Sequence, residues 1–154
     1  MTAEGLVKIT FSLESGAWHG FATERMWAQK VTDNRYRLRN SPYFARGVCF
    51  EDVVFAELDP QGELIFTGVS LRSGHSTYRI LLKAELDSPH FREHWAPLEK
   101  DGCTFEGARE KLLAVDVPPR AGIYGVYALL QRGEDARAWE FEEGHCDHPL
   151  QGRG

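Results

Sequence analysis

The sequence predicts an α+β fold: a small N-terminal antiparallel β-barrel of SH3-like type, packed against a C-terminal β-α-β-β-α-β sandwich of ferredoxin-like type. Three observations lead there. The first half alternates apolar and polar residues with period two, in about five short runs broken by turns. The second half sets two stretches with helical apolar spacing between strand patterns. Residues 71–77, between the halves, are too few for a flexible linker, so the two should pack together.

Val7, Ile9, Phe11 and Leu13 alternate with polar neighbours and predict the first strand. Residues 21–31, with Met26 and Trp27, predict the second. The turn Thr32-Asp33-Asn34 leads into residues 35–39. There Tyr36 and Leu38 share one face, and Arg35, Arg37 and Arg39 share the other. Asn40-Ser41-Pro42 ends this strand, because proline lacks the donor a ladder needs. Residues 52–58 and 63–70 predict a hairpin about Asp59-Pro60-Gln61-Gly62, where proline fixes φ and glycine supplies freedom.

Residues 77–83 predict the next strand, with Tyr78, Ile80 and Leu81. Ser88 is a suitable N-cap and Pro89 suits the first helical position, where its missing N–H costs nothing. Phe91, Trp95 and Leu98 then form a helical stripe that Gly102 can end, and Pro97 predicts a kink or an early stop. Residues 103–106 and 112–117 predict a strand pair. Pro118-Pro119 predicts the opening of a second helix carrying Ile123, Val126, Tyr127 and Leu130. Residues 139–143 predict the last strand, with Trp139 and Phe141 inward and Glu140 and Glu142 outward. The expected division is a barrel over residues 1–76, an α+β unit over 77–148 and a mobile tail over 149–154.

Composition narrows the function. A hydrophobic share of 42% and a charged share of 27% describe a globular chain, not a disordered one. No apolar run approaches the ~20 residues that span a bilayer, and Met1-Thr2-Ala3-Glu4-Gly5 does not read as a secretory signal. The expectation is a cytoplasmic protein without a membrane partner. Cys49, Cys103 and Cys146 are widely spaced and contain no C-x-x-C pair, which predicts reduced thiols. The net charge of −5 lies entirely in residues 87–154, since residues 1–86 balance ten acids with ten bases. A chain without a basic footprint argues against nucleic acid, and an acidic half suits a basic partner or simple solubility.

His90-Phe91-Arg92-Glu93-His94 fits H-x-x-E-H, the pattern that sets two zinc ligands and a glutamate base on one helix. Its place in the first turn, with Pro97 soon after, favours an exposed polar helix face, so no metal site is expected. His145-Cys146-Asp147-His148 offers donors in a row, but adjacent side chains diverge, and a frayed end is the expectation. His75 follows Gly74 in a polar loop beside Ser73, Ser76 and Thr77. It could serve as a general base, alone or with Cys49, yet no nucleophile stands at fixed spacing, and a bridging structural role is favoured. Arg35, Arg37 and Arg39 could hold an anion, or pair with acids on neighbouring strands. Glu140, Glu142, Glu143 and Asp147 could form an acidic docking strip. No phosphate loop or nucleophile elbow is present.

Several segments carry a family resemblance: Trp27-Ala28, Tyr36-Arg37-Leu38, Asn40-Ser41-Pro42-Tyr43-Phe44, Arg46-Gly47-Val48, Asp52-Val53-Val54 and Gly74-His75-Ser76-Thr77. The segments at residues 112–119 and 139–144 continue it. On these the chain resembles a bacterial family catalogued as a domain of unknown function, numbered 4265, over about residues 7–144. The resemblance implies no catalytic residues. Size and charge look similar to immunity proteins encoded beside secreted toxins. The expected function is therefore a non-catalytic, cofactor-free binding protein that occludes a toxin domain. Its candidate contact residues are Glu140, Glu142, Glu143, Asp147, Arg37, Arg39 and His75. The alternatives are a small hydrolase or nucleotide-acting enzyme using His75, with Cys49 or with the His90/His94 pair, and an RNA-interacting module.

Overall fold

A computed structural model describes residues 5–17, 19–107 and 111–150. Among them, five strands come first: β1 (Leu6–Ser12), β2 (Thr23–Thr32), β3 (Arg35–Leu38), β4 (Val53–Leu58) and β5 (Leu64–Leu71). The remaining elements are β6 (Ser76–Leu82), α1 (Pro89–Lys100), β7 (Thr104–Gly107), β8 (Leu112–Val117), α2 (Ile123–Asp135) and β9 (Trp139–His145). The fold is mixed α+β and mostly β, with one sheet of five strands and another of four.

Neighbouring strands β1 to β5 run antiparallel, and a short parallel contact between β1 and β5 closes them into a barrel. Period two decides what fills it. On β2, Glu24, Met26 and Ala28 are buried while Thr23, Arg25 and Trp27 are exposed. Met26 and Ala28 join Ile9, Phe11, Leu38, Val54 and Ala56 in the barrel core. Asn34, at φ +68, turns β2 into β3. Asp59 accepts from the backbone N–H groups of Gln61 and Glu63, so the expected turn joins β4 to β5.

The second sheet has the order β7-β8-β6-β9, and every neighbouring pair is antiparallel. One face carries Tyr78, Ile80, Leu82, Leu113, Val115, Val117 and Trp139. These pack on Phe91, Trp95 and Leu98 of α1 and on Ile123, Val126 and Leu130 of α2. The opposite face presents Thr77 and Arg79 of β6, Asp116 of β8 and Glu142 of β9. It receives the connection between β3 and β4, residues 39–52, through hydrogen bonds described below. That connection is the layer between the two sheets.

Two boundaries differ from expectation. Helix α1 runs through Pro97 to Lys100 without an early stop. The missing N–H leaves only the carbonyl of Glu93 without its helical donor, and Glu93 is exposed to water. Pro118-Pro119 does not open α2. The Pro118 carbonyl instead accepts from Ala121 N at 3.0 Å, closing a turn, and α2 begins at Ile123 with Gly122 as its N-cap. Of the expected tail, Pro149 and Leu150 are exposed, and 151–154 lie outside the described residues.

Candidate functional site

The join between the sheets is built from ionisable side chains that serve the backbone. Glu24 turns inward from β2 and accepts three N–H groups, from Tyr43 at 2.6 Å, Phe44 at 3.0 Å and Ala45 at 2.8 Å. Arg79, only 2% exposed, reaches the same segment from β6. Its Nε donates to the Tyr43 carbonyl at 2.7 Å and its Nη2 to the Ala45 carbonyl. Burial pulls the Arg79 pKa down, while the nearby Glu142 and Glu24 carboxylates push it back up. Arg46 adds a rim contact, donating to the Glu143 carbonyl at 2.9 Å and to Glu142 at 3.3 Å.

Asp52 organises the far end of the same connection. Fully buried, it accepts from Cys49 N at 2.9 Å and Ser73 N at 2.8 Å, with Arg72 at 3.4 Å. Next to it, His75 Nδ1 meets both oxygens of Asp116, at 2.8 and 3.1 Å, and the edge of Phe50 packs on the His75 ring. A carboxylate only accepts, so Nδ1 carries the proton, and in the neutral ring Nε2 holds the lone pair. Burial raises the Asp116 pKa, and the adjacent His75 opposes that rise. His75 thus bridges the two halves. Cys49 does not join it as a dyad: its Sγ donates to the His145 carbonyl at 3.7 Å, and burial lifts its thiol to about 12.

The C-terminal segment is not frayed up to His148. His148 is 7% exposed, with Nδ1 at 2.6 Å from Ser76 Oγ and Nε2 donating to the Pro118 carbonyl at 2.8 Å. Ser76 Oγ also accepts from Asp147 N at 2.8 Å and His148 N at 3.3 Å. The geometry is a serine–histidine pair with the histidine oriented, yet Ser76 is fully buried and meets no solvent. Its role is to staple residues 147–148 to β6.

The acids expected to form one strip are dispersed. Glu140 pairs with Lys83 at 3.3 Å, Glu142 with Arg46, and Asp147 with His145 at 3.7 Å. Glu143 instead lies beside the Tyr78 hydroxyl at 3.5 Å, because it pairs with Tyr78 across the ladder and successive side chains of β9 point to opposite faces. Arg39 is ion-paired with Glu51 and sits over the Phe50 ring at 5.7 Å. Arg37 is half-buried opposite Gln29. On α1, one ligand atom from each of His90, Glu93 and His94 lies within 4.8 Å of the others.

A groove of about 950 Å³ lies open between barrel and sheet. Phe21, Phe44 and Leu81 supply its apolar wall, and Arg25, Lys83 and Lys111 line it with positive charge. Phe21 is 48% exposed and packs tilted against Phe44 with ring centroids 5.0 Å apart, and Leu81 is 39% exposed. A smaller hollow of about 260 Å³ shares Leu81 and extends to Glu140 and Glu142. Sequence reasoning missed this groove and the buried Glu24, Asp52, Arg79, Ser76 and His148. A signal existed for one: Arg79 interrupts the apolar run around Tyr78 and Ile80, and a charge there implies a buried partner.

No functionally curated protein matches the chain. A crystal structure of a hypothetical protein from Neisseria gonorrhoeae is similar, with a TM-score of 0.77 at 19% identity. The match covers 97% of this chain and 99% of that one, so the whole fold is shared. Residues 24–141 match the family described as Domain of unknown function (DUF4265). That span runs from Glu24 in β2 to Phe141 in β9 and takes in most of both sheets and the join between them, and the chain belongs to this family.

Proposed function

We propose that this protein is a non-catalytic binding module of the immunity type, which occludes a toxin domain by covering it with the groove face. The observation carrying this reading is the open, apolar groove at Phe21, Phe44 and Leu81, beside a join whose Glu24, Asp52 and His75 are committed to internal hydrogen bonds. Large exposed apolar side chains with a charged rim suit a protein partner. The basic lining calls for a partner that brings carboxylates flanking an apolar anchor, and Glu140 and Glu142 at the far end suit a basic side chain there. A stable complex would bury roughly 800 Å² on each partner.

In the same reading the chain is two subdomains, residues 1–76 and 77–148. The first is an SH3-like barrel and the second a ferredoxin-like unit, supported by the β-α-β-β-α-β order with β6 and β8 central. A cytoplasmic site of action belongs to this proposal.

The test is co-expression with the product of the neighbouring gene, followed by capture and a growth-protection assay. Wild-type chain should bind and protect, whereas Leu81→Asp and Phe21→Asp should fold normally and lose both. Protection that survives both substitutions would move the interface elsewhere. A second reading rests on the His75–Asp116 pair, whose Nε2 lone pair suits a general base. Hydrolytic turnover abolished by His75→Gln would favour it.

A further inference from the structure

Helix α1 carries a cluster that the proposed binding function does not use. His90, Glu93 and His94 stand at i, i+3 and i+4, so they share one face of the helix. A donor atom from each lies within 4.8 Å of the others. The two rings have centroids 4.9 Å apart.

The hydrogen bonds decide which ring nitrogens are available. His90 Nε2 lies 2.8 Å from the Ala136 carbonyl, in the turn between α2 and β9. His94 Nδ1 lies 3.0 Å from the His90 carbonyl. A carbonyl oxygen only accepts, so both of these nitrogens carry protons. The lone pairs are therefore on His90 Nδ1 and His94 Nε2. Metal-bound histidines are held in the same way, with the non-ligating N–H donated to a backbone carbonyl that fixes tautomer and ring orientation. Here both rings have that support before any ion arrives. Trp139 packs edge-on against His94 at 6.4 Å and gives the cluster an apolar flank.

We propose that His90, Glu93 and His94 bind one divalent transition-metal ion of the zinc type. Two neutral imidazoles and one carboxylate are a borderline donor set, which favours zinc, nickel or copper over calcium or magnesium. In a tetrahedral zinc site, neighbouring ligand atoms stand about 3.4 Å apart, as follows from metal–ligand lengths of about 2.0–2.1 Å. The donor atoms, within 4.8 Å of one another, must draw closer on binding, and the exposed Glu93 side chain is free to rotate toward the two rings. Three protein ligands leave a fourth position for water or for a donor from a partner. Because His90 is also bonded to Ala136, the ion would tie α1 to the turn that feeds β9.

The experiment is zinc titration by calorimetry of untagged protein stripped with a chelator, beside two variants checked for unchanged circular dichroism. Wild type should take up one equivalent. His90→Ala/His94→Ala should lose at least about tenfold in affinity, and Glu93→Gln should weaken binding while both imidazoles remain. Copper should quench tryptophan fluorescence in wild type and not in the double variant, because Trp139 adjoins His94. Absence of stoichiometric uptake, or uptake unchanged in the double variant, would overturn the assignment. Neither outcome bears on the groove, whose capture assay is independent.

Discussion

Glu24 and Arg79 hold the same three residues of backbone from opposite sides. The carboxylate of Glu24 takes the N–H groups of residues 43–45, and the guanidinium of Arg79 takes carbonyls of residues 43 and 45. One side chain belongs to the barrel and the other to the second sheet, so the segment is clasped between them.

Removing either grip leaves buried backbone groups unpaired. Arg79→Met is expected to cost about 3–5 kcal/mol, because it strands two buried carbonyls and removes the positive charge near Glu24 and Glu142. Arg79→Lys should recover little, since a single ammonium cannot reproduce the planar fork. Urea denaturation measures both, and a loss below about 1 kcal/mol for Arg79→Met would show the clasp to be dispensable.

Two glycines are spaces kept for other side chains. A Cβ at Gly144 would overlap Arg79 Nη1, and one at Gly133 would overlap the Trp139 indole, whose Nε1 donates to the Leu130 carbonyl at 2.9 Å. Gly144→Ala and Gly133→Ala should each destabilise by about 1–3 kcal/mol, as overpacked cores do. Gly125→Ala, where a Cβ meets nothing within 4 Å, is the control and should melt no lower than wild type.

The staple at Ser76 should resist substitution poorly. Ser76→Ala removes the acceptor for two backbone N–H groups and the partner of His148 Nδ1, at a cost of about 2 kcal/mol. Limited proteolysis should then cut after residue 145 in the variant while wild type resists.

Glu106 gives a pH test. Burial raises its pKa, although Ser41 N at 2.8 Å supports the charged form. A carboxyl raised in the folded state lends stability below its unfolded pKa and loses it as pH rises through the folded value. Glu106→Gln, which keeps an acceptor for Ser41, should therefore melt no lower than wild type at neutral pH. The gap should narrow toward about pH 4, near the ordinary glutamate value. A variant that is less stable at neutral pH than at acid pH, relative to wild type, would contradict this.

Thiol chemistry separates the three cysteines. Burial pushes Cys49 and Cys103 up to about 12, so neither presents thiolate near neutral pH. Native alkylation followed by mass spectrometry should label Cys146, which is only half-buried, and spare the other two until denaturant is added.

Most of the chain's element order was legible because it rests on local chemistry. Ser88 and Pro89 announce α1, and Ser88 Oγ does accept from Phe91 N at 3.2 Å. Period two announces the barrel strands, and Glu24 sits in the same inward row as Met26 and Ala28. What local pattern could not convey is which inward position would hold a charge. Glu24 meets residues 43–45, Asp52 meets Ser73, and Ser76 meets His148, each joined only by the final packing of distant segments. Pro118-Pro119 misled because proline suits both a first helical turn and the turn before one. Strand alternation alone sets Glu143 on the face opposite Glu142, beside Tyr78.

Every strand of the barrel precedes every element of the second sheet. During synthesis, all five barrel strands leave the ribosome before Arg79 does, so β5 can close against β1 while half the clasp is still missing. Glu24 alone then holds residues 43–45, with their carbonyls turned to water. The connection is thus the last part of the first half to acquire its final surroundings, and a chain stalled before Arg79 should show a protected barrel with an exchanging 43–45 segment in pulse-labelled hydrogen exchange.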